Sequence, residues 1–142
     1  MDQVYTAIAS AGLGALFGLL AAWVKGYVDY LQGAARELRV AALGCLDRLE
    51  KIEQTRANLP EAVGDDFEQL PEDDRLRKIM NDELWHLGGS LDRYLSAIGG
   101  ARRRAGRDHF AIYQDLRRVL IRHELDPVPG LIVRLRGVTG TA

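Results

Sequence analysis

A chain of 142 residues, 47% hydrophobic and 27% charged, is about one domain in size and has the composition of a folded protein, which excludes a multidomain enzyme and a disordered chain. Its one cysteine, Cys45, excludes an internal disulfide, and with three histidines it leaves no zinc site of the usual four-ligand Cys/His kind. The net charge of −1 is unevenly laid out: residues 1–24 hold one charged side chain, Asp2, and all 19 Lys and Arg follow them.

The first element is read from residues 4–24, which are 21 residues without a charge. As a helix they span roughly 31 Å, the thickness of a bilayer's hydrocarbon core. Tyr5 near one end and Trp23, Tyr27 and Tyr30 near the other suit the two headgroup interfaces. A secretory signal peptide fits poorly, because no basic region precedes the apolar stretch and the stretch is too long. The competing reading is a buried core helix of a soluble protein. No Lys or Arg precedes the segment, whereas Lys25, Arg36 and Arg39 follow it, so the expected location is the cell (inner) membrane with the C-terminal part cytoplasmic. The unpaired Cys45 agrees with a reducing compartment.

Thr6, Ser10, Gly14, Gly18, Ala22 and Gly26 recur at every fourth position, which places them on one slowly drifting helix face. In lipid such a face of small residues lets helix backbones approach and pack, so it predicts self-association. Beyond it, Val28, Leu31, Ala35, Leu38, Ala42, Cys45, Leu49 and Ile52 alternate spacings of three and four, a heptad seam. Leu31, Leu38 and Cys45 join the small-residue face as expected oligomerisation positions, although the seam is equally suited to the helices that follow. No proline falls between Val4 and Leu59, so one helix is predicted from the membrane to about Ala57. Gly26, Gly33 and Gly44 are the places where it would kink.

Residues 58–74 carry two prolines, one glycine and seven acids with no base, and read as a solvated linker tacked down by Phe67 and Leu70. Pro71 with Glu72, Asp73 and Asp74 predicts a helix start with proline in the first turn, and the helix runs to Ile98. Its buried stripe is Leu76, Ile79 or Met80, Leu84, Leu87, Leu91, Tyr94 or Leu95, and Ile98. Asp108 is expected to cap a third helix ending at Leu125, with Phe110, Tyr113, Leu116 or Leu120, and Val119 inward. The tail from Val128 is expected to form one short strand or an amphipathic turn at 131–136.

The expected fold is therefore all-α: a single N-terminal transmembrane helix continuing into a small cytoplasmic helical bundle. The divisions are 1–27, transmembrane helix and flanks; 28–57, helical extension with the heptad seam; 58–74, acidic linker; and 75–142, helical hairpin or bundle with a short C-terminal tail. Charge splits this body. Residues 47–85 carry 12 acids and 6 bases, and residues 86–142 carry 10 bases and 5 acids. Such a split serves bundle cohesion, head-to-tail contact between copies, or simply solvated faces.

No Walker A loop, GxGxxG, HExxH or GxSxG motif appears, so the common phosphate, dinucleotide, zincin and hydrolase signatures are missing, and neither a cofactor nor a metal is expected. Arg118 and His123 fit an Arg-x4-His spacing in RVLIRH, and Arg104 with His109 fits it again. The first pair resembles the Arg-x4–6-His motif of HEPN ribonucleases, all-helical bundles that cleave RNA at a dimer seam. The resemblance implies that Arg118 binds the scissile phosphate and that His123 does acid–base chemistry. Val119 departs from the pattern, since the residue after the family's arginine is usually polar. The order of elements, one membrane helix before a small helical body, also resembles the membrane accessory proteins of type VI CRISPR systems, which assemble into ring-shaped pores without depending on a ribonuclease site.

The basic run 102–104 reads as an exposed loop, a headgroup contact or a nucleic-acid contact. The 19 bases and 19 acids after residue 24 argue against broad nucleic-acid binding. The expected partners are thus the membrane, further copies of the chain and a cytoplasmic protein. The first functional expectation is a homo-oligomeric membrane protein that forms a pore or perturbs the membrane in antiviral defence. A membrane-tethered ribonuclease and a membrane-anchored adaptor are the alternatives.

Overall fold

The computed structural model describes residues 2–101 and 103–141, with side chains for residues 12–101 and 104–141. The chain is all-α: α1 (Asp2–Ala57), α2 (Arg75–Gly99), α3 (Arg103–Arg122) and α4 (Val128–Thr139), with a short 3₁₀ turn at Phe67–Gln69 and no strand among the described residues. Two compact units divide at Gly33, so residues Met1–Gly33 and Ala34–Ala142 are taken separately.

In the second unit, α1 buries the expected seam from Leu38 onward, while Ala35 is exposed. Leu38, Ala42, Cys45, Leu49 and Ile52 are sealed from solvent, and Ala41 and Leu46 beside them widen the stripe. The seam therefore serves this chain's own core, which corrects the expectation that Leu38 and Cys45 contact another copy. A side chain already closed in by its own bundle has no surface left to offer. Burial also pushes the Cys45 thiol up to about 12, so it is an inert packing group.

Residues 58–74 are tied down rather than loose. Phe67 and Leu70 are buried in the core as expected. Pro71 lies ahead of α2 and not in its first turn. The cap is Asp74, whose carboxylate accepts from the backbone N–H of Leu76 at 2.8 Å and of Arg77 at 3.4 Å. From there α2 buries Met80, Leu84, Leu87, Leu91, Tyr94 and Ala97, with Leu76 and Ile98 packed against the same core and Leu95 exposed.

The third and fourth helices depart further from expectation. Asp108 is not a cap, because α3 already begins at Arg103 and carries it in the first turns. Ile112, Leu116 and Val119 are buried, whereas Phe110 is exposed and stacks on Tyr113. Gly106 makes the close approach of α3 to the end of α2, for a Cβ there would sit 3.4 Å from the Ile98 carbonyl oxygen. The tail is a helix and not a strand or turn. Two glycines and five β-branched residues weaken its intrinsic propensity, but Val128, Leu131, Ile132, Leu135 and Thr139 all reach the core from one helical face. Pro129 in the first turn and Gly140 in the left-handed conformation mark its ends.

Polar contacts tie the elements crosswise. Arg39 donates to the Thr139 carbonyl at 3.0 Å, Arg136 meets Glu50 at 3.0 Å, and Arg134 meets Asp115. Arg48 approaches the half-buried Glu83 at 3.5 Å. Core burial outweighs these exposed pairs in energy. Leu87→Ala, at a fully buried position, is expected to cost about 2–5 kcal/mol in chemical unfolding. Trp85→Ala, at a position 80% exposed, is expected to change stability by less than about 0.5 kcal/mol. Equal losses at the two positions would contradict this packing.

Candidate functional site

The candidate self-association face lies on the first part of α1. Thr6 and Ser10 lie outside the residues whose side chains are described. Gly14, Gly18, Ala22 and Gly26 are exposed, and a Cβ built on any of the three glycines meets nothing within 4 Å. Beside them, large apolar side chains stand uncovered over the other half of the helix: Phe17 is 66% exposed, Leu19 70% and Trp23 69%. Trp23 and Tyr27 stack with ring centroids 5.9 Å apart. Leu31 is half-buried. Among the described residues no helix is long and apolar enough to cross a membrane.

The two members of the candidate catalytic pair have different surroundings. Positions five apart on a helix lie about 140° around it, so an Arg-x4-His spacing does not by itself set two side chains on one face. Arg118 is exposed on α3 and lines two shallow grooves of about 350 and 340 Å³. His123 lines neither of them. It lies beyond the end of α3 with φ of 53°, a left-handed conformation that stops the helix short of the expected Leu125. Its Nδ1 is engaged by Glu68, and its ring lies against Phe67 with centroids 5.6 Å apart. His123 thus latches the acidic segment to the bundle. The second match of the pattern is divided as well, since Arg104 is exposed and His109 is buried. Of the run 102–104, Arg102 and the side chain of Arg103 lie outside the described residues, and Arg104 is in α3, not in a loop.

Two polar clusters were not evident from the sequence. The first joins α2 to α3, where Tyr94 Oη lies 2.6 Å from His109 Nδ1 in the buried core, the rings meeting edge to face. Burial raises the Tyr94 hydroxyl's pKa, so Tyr94 keeps its proton beside the imidazole. Burial likewise lowers the His109 pKa from 6.5, only partly offset by nearby Asp108. The second cluster closes the end of α1. Arg56 holds Asp65 through both oxygens at 2.6 and 3.1 Å, with Glu53 at 3.4 Å and Asp126 at 3.7 Å. Hydrogen bonding to Arg56 and then to Asp126 draws the Asp65 carboxyl below its usual pKa, while Asp65 raises that of Asp126. Residues 9 and 70 positions away in sequence meet here, and no local spacing announces them.

Both clusters are packing devices that tie one helix or segment to another. Among the described residues, no group of three His, Cys, Asp or Glu side chains is placed to hold a metal ion. No family model, curated protein or solved structure matches the chain. The buried histidine predicts a pH dependence. The unfolded chain takes up a proton near pH 6.5 that the folded chain refuses, so the contribution of His109 is full above that pH and is lost as the pH falls below it. Melting temperatures between about pH 7.5 and about pH 5.5 are expected to fall in the native chain and to fall less in His109→Gln; identical slopes would contradict a neutral buried imidazole.

Proposed function

We propose that this chain is a single-pass, homo-oligomeric membrane protein, whose first helix lies in the bilayer and packs against copies of itself through its small-residue face. The observation that carries the reading is the uncovered apolar surface of residues 13–30. In water this surface would demand a partner, and lipid supplies one on all sides of a helix. The uncharged run extends through residues 4–24, beginning ahead of the first described side chain. Trp23, Tyr27 and Tyr30, exposed beside Lys25, have the character of an interfacial belt on the side that faces the cytoplasm.

In this reading the bundle formed by Ala34–Ala142 is a cytoplasmic body that makes protein contacts, and assembly of the helices perturbs the membrane, as a pore-forming defence protein would. The open space at Gly14 and Gly18 makes the test clean. Leucine fits at both sites within one chain and favours the helix over glycine, so it interferes only where another helix approaches. Gly14→Leu/Gly18→Leu is expected to stay in the membrane fraction and to lose its oligomer in mild detergent. An unchanged complex mass would contradict packing through this face.

A further inference from the structure

The exposed face of α3 carries Arg104, Arg107, Arg117, Arg118 and Arg122, and among the described residues only Arg122 has an ion-pair partner, Glu124 at 3.8 Å. Asp115 on the same helix is occupied by Arg134, which leaves exposed Asp108, one turn from Arg104, as the acid set against five arginines. Like charges three and four residues apart repel along a helix, so this face is held against its own field. Arg117, Arg118 and Arg122 border an open groove of about 350 Å³ with Gln114 and the exposed Ile121. It is a shape for several carboxylates around an apolar contact.

The complement lies in the same body. Of the seven acids in residues 58–74, Asp65 is used by Arg56, Glu68 by His123 and Asp74 by the α2 cap. Glu61, Asp66, Glu72 and Asp73 are left exposed, with no ion pair among the described residues. Phe67 and Leu70 anchor this segment from beneath, so its acids are presented on a fixed support.

We propose that the two surfaces are halves of one contact, the arginine face of α3 in one copy docking on the acidic segment 61–73 of the next. The proposal rests on the self-association argued above and adds where the bodies touch. Guanidinium forks pair with carboxylates through two hydrogen bonds, which gives the contact direction as well as charge. Because the two patches differ, the contact is heterologous and passes from copy to copy until it closes in a ring. A ring about the membrane normal also keeps every N-terminal helix in the same bilayer. A polyanion such as RNA is the weaker occupant, since the net charge of −1 and the uncompensated acids on the same body oppose it.

The test uses the full chain in mild detergent, with complex mass measured at about 50 mM and about 500 mM salt. Arg117→Glu/Arg118→Glu and Glu72→Lys/Asp73→Lys are each expected to lower the low-salt mass about twofold or more. Combining all four substitutions in one chain restores opposite charges across the contact and is expected to recover the wild-type mass, which also shows that the variants fold. Pair variants that keep the wild-type mass overturn the contact, as does a fourfold variant that fails to recover it. Single-stranded poly(U) bound through the arginines, with mass unchanged by either pair, overturns it in favour of RNA. These results leave the helix-face reading standing, whereas a wild-type monomer at both salt concentrations defeats that reading itself.

Discussion

A stripe on α1, where Leu38, Ala42, Cys45, Leu49 and Ile52 are sealed from solvent, is the surface against which the later helices close. Alanine and cysteine at its centre are small enough for neighbours to come near, and the larger side chains fill the space on either side. Leu87 and Tyr94 of α2, Leu116 and Val119 of α3, and Leu131 and Leu135 of α4 join the same core. With four helices around a single core, each depends on the others for burial. The two polar clusters operate within this frame. Arg56 gathers the carboxylates at one end, and Tyr94 with His109 satisfies the buried polar groups between α2 and α3.

The same helix has a different chemistry before residue 31. Its apolar side chains have no cover, and the glycines among them leave open notches. A soluble helix would be amphipathic, with a polar face for water; this one, through Val24, has large apolar residues over one half and small uncharged ones over the other. The proposed resolution is a change of solvent along one element: lipid and helix neighbours for the first part, a protein core for the second. Lys25 and the aromatic residues near it stand where the two environments would meet.

Much of this was legible because α1 and α2 combine long periodic patterns with clear stops. The seam from Leu38 to Ile52 and the stripe from Met80 to Tyr94 follow directly from spacing, and proline-free sequence to Leu59 accounts for the reach of α1. Spacing did not say who covers a seam, so Leu38 and Cys45 were read as contacts between copies when the chain's own helices take them. The helix α4 was hidden because valine, isoleucine and glycine favour other conformations, and only burial by distant residues selects the helix. Arg118 and His123 looked related as a string, but a left-handed residue at His123 and its latch to Glu68 give them separate surroundings. The Tyr94–His109 and Arg56–Asp126 contacts depend on tertiary meeting points that no local pattern marks.

The claim on which the rest of the functional account hangs is that the first part of α1 resides in lipid. Alkaline carbonate washing of membranes from cells expressing the full chain tests it most directly, because it strips proteins held by charge or by peripheral contacts and leaves those embedded in the hydrocarbon. The account predicts that the protein stays in the washed pellet and enters solution only with detergent. Release into the wash as a species that remains monomeric without detergent would contradict it and would return residues 4–24 to a protein interior.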